Sequence, residues 1–142
     1  MNSGILNDIL LAAKKYPENN AFVIDGKAYT YRELFSRVKG IMSFINQTEE
    51  IIGVVAENRI ETYASVLAIL LSGKTYVVLH PAYPNYRNQL IAETTVMKQI
   101  LYCEQAILSD LMPTYIDFIC TDGISDPYKG DLSVKGDTNS YA

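Results

Sequence analysis

One histidine and two cysteines are all that this sequence holds of the side chains that most often bind metals or act as nucleophiles: His80, Cys103 and Cys120. Cys103 and Cys120 make no CxxC pair, and each stands beside strand-like residues. They read as buried free thiols rather than a disulfide, which fits a cytoplasmic protein. GxSxG, paired histidines at metal-ligand spacing and carboxylate clusters are all missing, so the residues nominate no catalytic, cofactor-binding or metal-binding side chain. Basic runs are missing too. With 12 Lys and Arg against 16 Asp and Glu, and a net charge of −4, a nucleic acid or an anionic membrane is a poor partner. The longest apolar run, residues 63–71 with Ser65 inside it, falls far short of the ~18 residues a membrane helix needs. At the N-terminus no basic residue precedes Lys14 and Asp8 interrupts the apolar stretch, so no secretory signal is read there.

What is present is an α/β pattern. The 142 residues amount to about one domain, long enough to bury roughly two-thirds of its surface. Residues 58–87 organise it. Ile60, Tyr63, Ala64, Leu67, Ala68 and Leu71 repeat at helical spacing, with Val66, Ile69 and Leu70 filling a second side. Asn58 is the expected cap of that helix, with Glu61 reaching back, and Gly73 is the expected left-handed stop. Tyr76-Val77-Val78-Leu79 is apolar without alternation, which predicts a strand buried on both faces of a parallel sheet. Pro81 and Pro84 end the ladder.

Upstream, Asn2 or Ser3 caps a helix carrying Ile5, Leu6, Ile9, Leu10 and Ala13. Asp25-Gly26 joins two strand-like runs as a hairpin turn. Thr30 and Glu33 make a capping box, with Tyr29 and Leu34 as a hydrophobic staple, and Leu34, Val38, Ile41 and Ile45 continue that helix. Residues 51–55 form another buried strand. Downstream, Tyr86, Leu90 and Ile91 mark a helix. Residues 99–103 and 115–120 read as strands, and residues 104–111 as a short helix between them. Strands alternating with helices predict a mostly parallel sheet with flanking helices. Residues 1–120 form the α/β unit, and 121–142 a turn-rich polar linker.

Three features invite a functional reading. Gly73-Lys74-Thr75 echoes the tail of a phosphate loop, but Ala68 stands where its first glycine belongs and the order is helix-to-strand rather than strand-to-helix, so a helix stop is the better reading. His80 lies where a strand leaves the sheet, a place where α/β folds bind ligands, yet no nucleophile or second ligand accompanies it. Arg87, near a helix start, is read as holding the preceding loop. Most of the eleven tyrosines occupy stripe or strand positions, which suits packing better than a stacking surface.

The same residues carry a family resemblance. Tyr29-Thr30-Tyr31-Arg32-Glu33-Leu34 resembles the first core motif of the adenylate-forming ligase superfamily. The segment from Leu70 through Gly73, Tyr76, Pro81, Tyr83 and Pro84 to Arg87 resembles its second, at the matching separation. Two departures stand at the strand exit: Val78 replaces the family's proline and His80 its aspartate. The resemblance implies a truncated N-terminal subdomain of that ligase fold, closest in look to amino-acid-adenylating domains such as those activating D-alanine. It implies a parent reaction in which ATP, with magnesium, activates a carboxylate as an acyl-adenylate. The acyl group then passes to the thiol of coenzyme A or of a carrier protein's phosphopantetheine. The family's phosphate loop, substrate pocket and catalytic lysine match no position here, so the chain alone is expected to be inactive and to need the remainder of the ligase. Self-association through an uncovered sheet edge or face is a further expectation. Other readings stay open on the residues: a stand-alone α/β interaction module, an acyl-CoA synthetase fragment, and an unrelated small nucleotide-binding protein.

Overall fold

The computed structural model describes residues 3–104 and 112–134. Its centre is a four-stranded sheet of β3 (Ile51–Val55), β4 (Thr75–Leu79), β5 (Gln99–Tyr102) and β6 (Asp117–Cys120), in the order β4-β3-β5-β6. Every pairing in it is parallel. A separate antiparallel hairpin joins β1 (Asn20–Ile24) to β2 (Lys27–Thr30). Helices α1 (Ser3–Lys15), α2 (Tyr31–Met42), α3 (Ile60–Leu71) and α4 (Asn85–Thr95) complete the regular elements among the described residues. The expected α/β class, parallel sheet and hairpin are all present.

Side-chain alternation divides the core between the two faces of the sheet. Ile52, Val54 and Leu101 join the cluster built with α1, α2 and α3. Ile51, Val55, Ile100 and Phe118 point the other way, where Ile91 and Ala92 of α4 and Met97 cover them. Within the first cluster Leu34, Phe35, Val38 and Ile41 of α2 are all at most 1% exposed.

Local chemistry sets several boundaries as expected. Asp25 and Gly26 both have positive φ, 51° and 80°, as a two-residue hairpin turn demands. Thr30 Oγ1 accepts from the Glu33 N–H at 3.1 Å, and Glu33 returns a carboxylate to the Thr30 N–H at 2.9 Å, completing the capping box. At the end of α3, Gly73 takes φ 76°. Its N–H donates to Leu70 O and that of Lys74 to Ile69 O, the paired bonds of a Schellman stop.

Elsewhere the structure corrects the expectations. β4 is not buried on both faces. It is the sheet's edge, with Tyr76 38% and Val78 40% exposed, because α4 covers only the Val77 and Leu79 side. Asn58 does not cap α3. Arg59 takes the cap position without a side-chain bond, and the Asn58 amide donates to Asp25 in the hairpin turn. Ile5, Tyr86 and Leu90 are exposed, while α4 buries Asn88 and Ala92 instead. Cys103 is buried but Cys120 is exposed. Asn2, the helix expected over 104–111 (Glu104, outside any helix, excepted) and the last eight residues lie outside the described residues.

Residues 121–134 contain no helix or strand, yet they are strapped along α2. The Asp126 N–H donates to Ser36 O and Lys39 Nζ donates to Pro127 O and Asp131. Buried Tyr128 packs against Phe35 with ring centroids 5.4 Å apart and the rings tilted by 36°. A Cβ on Gly40 would stand 2.8 Å from Ser125 Cα, so only glycine lets the strap lie this close.

Candidate functional site

Because the sheet is wholly parallel, its carboxyl ends open on one side. The chain steps from β3 outward to β4, then returns across to β5. A crevice therefore belongs between the ends of β3 and β5, where α/β sheets take ligands. Glu57, just past β3, bridges it. Its carboxylate accepts the backbone N–H of Cys103 at 2.7 Å and that of Glu104 at 3.0 Å. Arg59 forms an ion pair with Glu104 on the same side.

Beside this bridge the ligand atoms of Glu61, Cys103 and Asp122 lie within 4.8 Å of one another. Sequence reading missed the trio, since 61, 103 and 122 are brought together only by the strand order. Burial first, and then the charges of Glu61, Glu57 and Asp122, push the Cys103 thiol up to about 12. Such a thiol stays protonated at neutral pH, which makes it a poor nucleophile. Glu61 is in addition paired with Arg37 at 3.6 Å.

A direct consequence can be measured. At pH 8 the thiolate fraction of Cys103 is on the order of 10⁻⁴. In the native protein, iodoacetamide should modify exposed Cys120 and leave Cys103 untouched until denaturant is added, as read by peptide mass spectrometry. Equal native labelling of both would contradict the arrangement.

The exit of β4 holds the two residues that the sequence singled out there. His80 is exposed, and its Nδ1 accepts the Ala82 N–H at 3.0 Å. Its ring lies 5.3 Å from that of Tyr83, and the Arg87 guanidinium covers Tyr83 at 4.2 Å. Asn88, 1% exposed, accepts from the His80 N–H and donates to the His80 carbonyl. This is a braced turn, with Arg87 holding the preceding loop as expected. Asn88, which locks it, carried no sequence signal beyond its place in a helix. Lys74 donates to the carbonyls of Gln47 and Glu49 at the amino end of β4. That spends its ammonium on a loop and leaves the helix-stop reading of Gly73 standing.

A third feature is an open apolar groove of about 530 Å³ between the hairpin, α1, α2, α3 and β4, walled by Phe22, Tyr31, Tyr63, Leu67, Tyr76 and Val78. Phe22 and Tyr63 stack at 5.0 Å. Thr62 Oγ1 is buried in its wall without a hydrogen-bond partner.

Comparison with known proteins gives a consistent result. The model of the family described as AMP-binding enzyme matches residues 11–127. Tyrocidine synthase 2 of Brevibacillus parabrevis is 37% identical over 79 residues, 53% of this chain but 2% of that protein. Tyrocidine synthase 1 of the same organism is 30% identical over 93 residues, 63% of this chain and 8% of its own length. Among solved structures, the nonribosomal peptide synthetase FmoA3 bound to α-methyl-L-serine-AMP superposes with a TM-score of 0.75 at 24% identity, covering 90% of this chain and 15% of that one. The Vibrio cholerae adenylation domain AlmE, in complex with glycyl-adenosine-5′-phosphate, gives 0.67 at 22% identity over 78% of this chain and 22% of its own. These two likenesses establish the fold. The chain thus spans a small part of the length of each relative.

Proposed function

Since the chain belongs to the AMP-binding enzyme family, we propose that it is the N-terminal shelf of a ligase that activates an amino acid as its adenylate and passes it to a thiol. The observation that carries this reading is the family match across residues 11–127, which contains both core motifs and the whole described sheet. The amino-acid branch is supported by the relatives, which are named as peptide synthases, and by adenylation-domain neighbours solved with aminoacyl adenylates. A carrier-protein phosphopantetheine is the favoured thiol acceptor, because one neighbour is a four-domain nonribosomal peptide synthetase; coenzyme A is the alternative. Free cysteines suit a cytoplasmic setting.

The crevice does not fit ATP or its magnesium. Phosphate oxygens would meet the carboxylates of Glu57, Glu61 and Asp122, and the nearby cations Arg59 and Arg37 are paired with Glu104 and Glu61. Magnesium prefers six oxygen ligands, and the protonated Cys103 thiol is a poor substitute. The role of this chain is therefore to brace, with the phosphate-binding and catalytic groups supplied by the remainder of the ligase. Calorimetric titration with Mg-ATP should give no binding heat. Saturable binding abolished by Glu57→Ala or Asp122→Ala would instead place a nucleotide site in this crevice and overturn the reading.

A further inference from the structure

We propose that the recess between the end of α1, the start of α2 and the strap binds an acidic peptide segment, one that presents several closely spaced Asp or Glu side chains. Lys14 of α1, Arg32 of α2 and Lys129 of the strap line this recess of about 310 Å³, around Pro17 and Tyr128. Three separate parts of the fold thus bring basic side chains to one opening, in a chain whose net charge is −4.

That charge is not cancelled locally. Among the described residues no carboxylate pairs with Lys14 or Lys129. Asp131, whose Oδ1 accepts the Lys129 N–H at 3.2 Å, gives its other oxygen to Lys39 at 2.7 Å. Glu18 accepts from the Arg32 Nε, and the Tyr128 carbonyl accepts from its Nη1 at 3.4 Å. Those two bonds orient the guanidinium and leave most of its N–H donors uncommitted.

The surroundings favour a carboxylate-bearing peptide over a phosphate. Phosphates settle at helix N-termini, where backbone N–H groups converge. This recess stands at the opposite end of a helix, with Lys14 in the last turn of α1, where the final carbonyls carry partial negative charge. Pro17, four residues past Ala13, has no N–H to return to that carbonyl. A compact dianion is repelled by such oxygens. A peptide instead brings N–H donors of its own, and its carboxylates meet the ammonium groups at the far ends of the long lysine stems. Recognition of acidic motifs by basic clusters containing arginine is a recurring mode of peptide binding.

The test is fluorescence anisotropy of a labelled hexaglutamate peptide titrated with the intact chain. Because the chain as a whole repels such a peptide, binding reports the local field. Saturable binding should appear at low salt and weaken steeply as salt rises. Lys14→Glu combined with Lys129→Glu should raise the dissociation constant about tenfold or more, with the circular dichroism unchanged. Lys27→Glu with Lys98→Glu changes the net charge equally at exposed positions outside the recess, and should leave the constant within about twofold. No saturable binding would overturn the proposal. So would an equal loss in the two double variants, which would mean a response to net charge alone. Tighter binding of an oligothymidylate of equal charge, or displacement of the peptide by inorganic phosphate but not by chloride at the same ionic strength, would mark a phosphate site and overturn it as well.

Discussion

Phe35→Ala is expected to cost about 3–5 kcal/mol, the usual loss for emptying a buried phenylalanine site. Phe35 is 1% exposed in the cluster that joins α2 to the sheet, and it is also the surface against which Tyr128 packs. Against a total stability of about 5–15 kcal/mol for a domain, the loss should lower the melting temperature by roughly 10 °C. It should also free the strap, so limited proteolysis should cut within 121–134 in the variant and not in the parent. Tyr128→Ala separates the two effects: it should expose the same cleavage sites with a smaller drop in melting temperature. If Phe35→Ala melted within 2 °C of the parent, the packing described for α2 would be wrong.

Glu57→Ala should cost about 1.5–3 kcal/mol, the range for hydrogen bonds made to a charged group. One carboxylate holds two backbone N–H groups at the β5 exit, and the Cys103 amide among them is part-buried, so water replaces the lost partner only incompletely. Removing that negative charge should also let the Cys103 thiol titrate lower, because Glu57 is one of the charges holding it up. Native alkylation of Cys103 should therefore quicken. Glu57→Gln keeps an acceptor oxygen and loses the charge: it should recover part of the stability and retain the faster alkylation. Both variants are read by chemical denaturation and by labelling rate. A Glu57→Ala variant as stable as the parent would contradict the bridge.

What could be read in the sequence was local. The Thr30–Glu33 box, the Asp25-Gly26 turn and the Gly73 stop each depend on a few adjacent residues, and their φ angles and bonds follow. What could not be read depends on strand order. The unbroken apolar run of β4 reports which side chains tolerate burial, not what covers them, so an edge strand looked like a central one. Asn58 fits a capping pattern with Glu61, yet the hairpin turn competes for its amide. Tyr128 sits among glycine, proline and aspartate, a composition that marks loops whether or not they are docked. The Glu57 bridge and the Glu61–Cys103–Asp122 grouping join residues up to 61 positions apart, which periodicity does not see. His80 and Arg87 were placed at the right strand exit, and Arg87 holds the preceding loop as read; the Asn88 bonds to the His80 backbone that lock the turn were not legible.

The most direct measurement is ATP–pyrophosphate exchange by the purified chain with each of the common amino acids in turn. A bracing part that leaves its phosphate and substrate contacts to the remainder of a ligase predicts exchange at the no-protein background in every case. Exchange that depends on one amino acid and saturates with ATP would show that this chain holds a working site of its own.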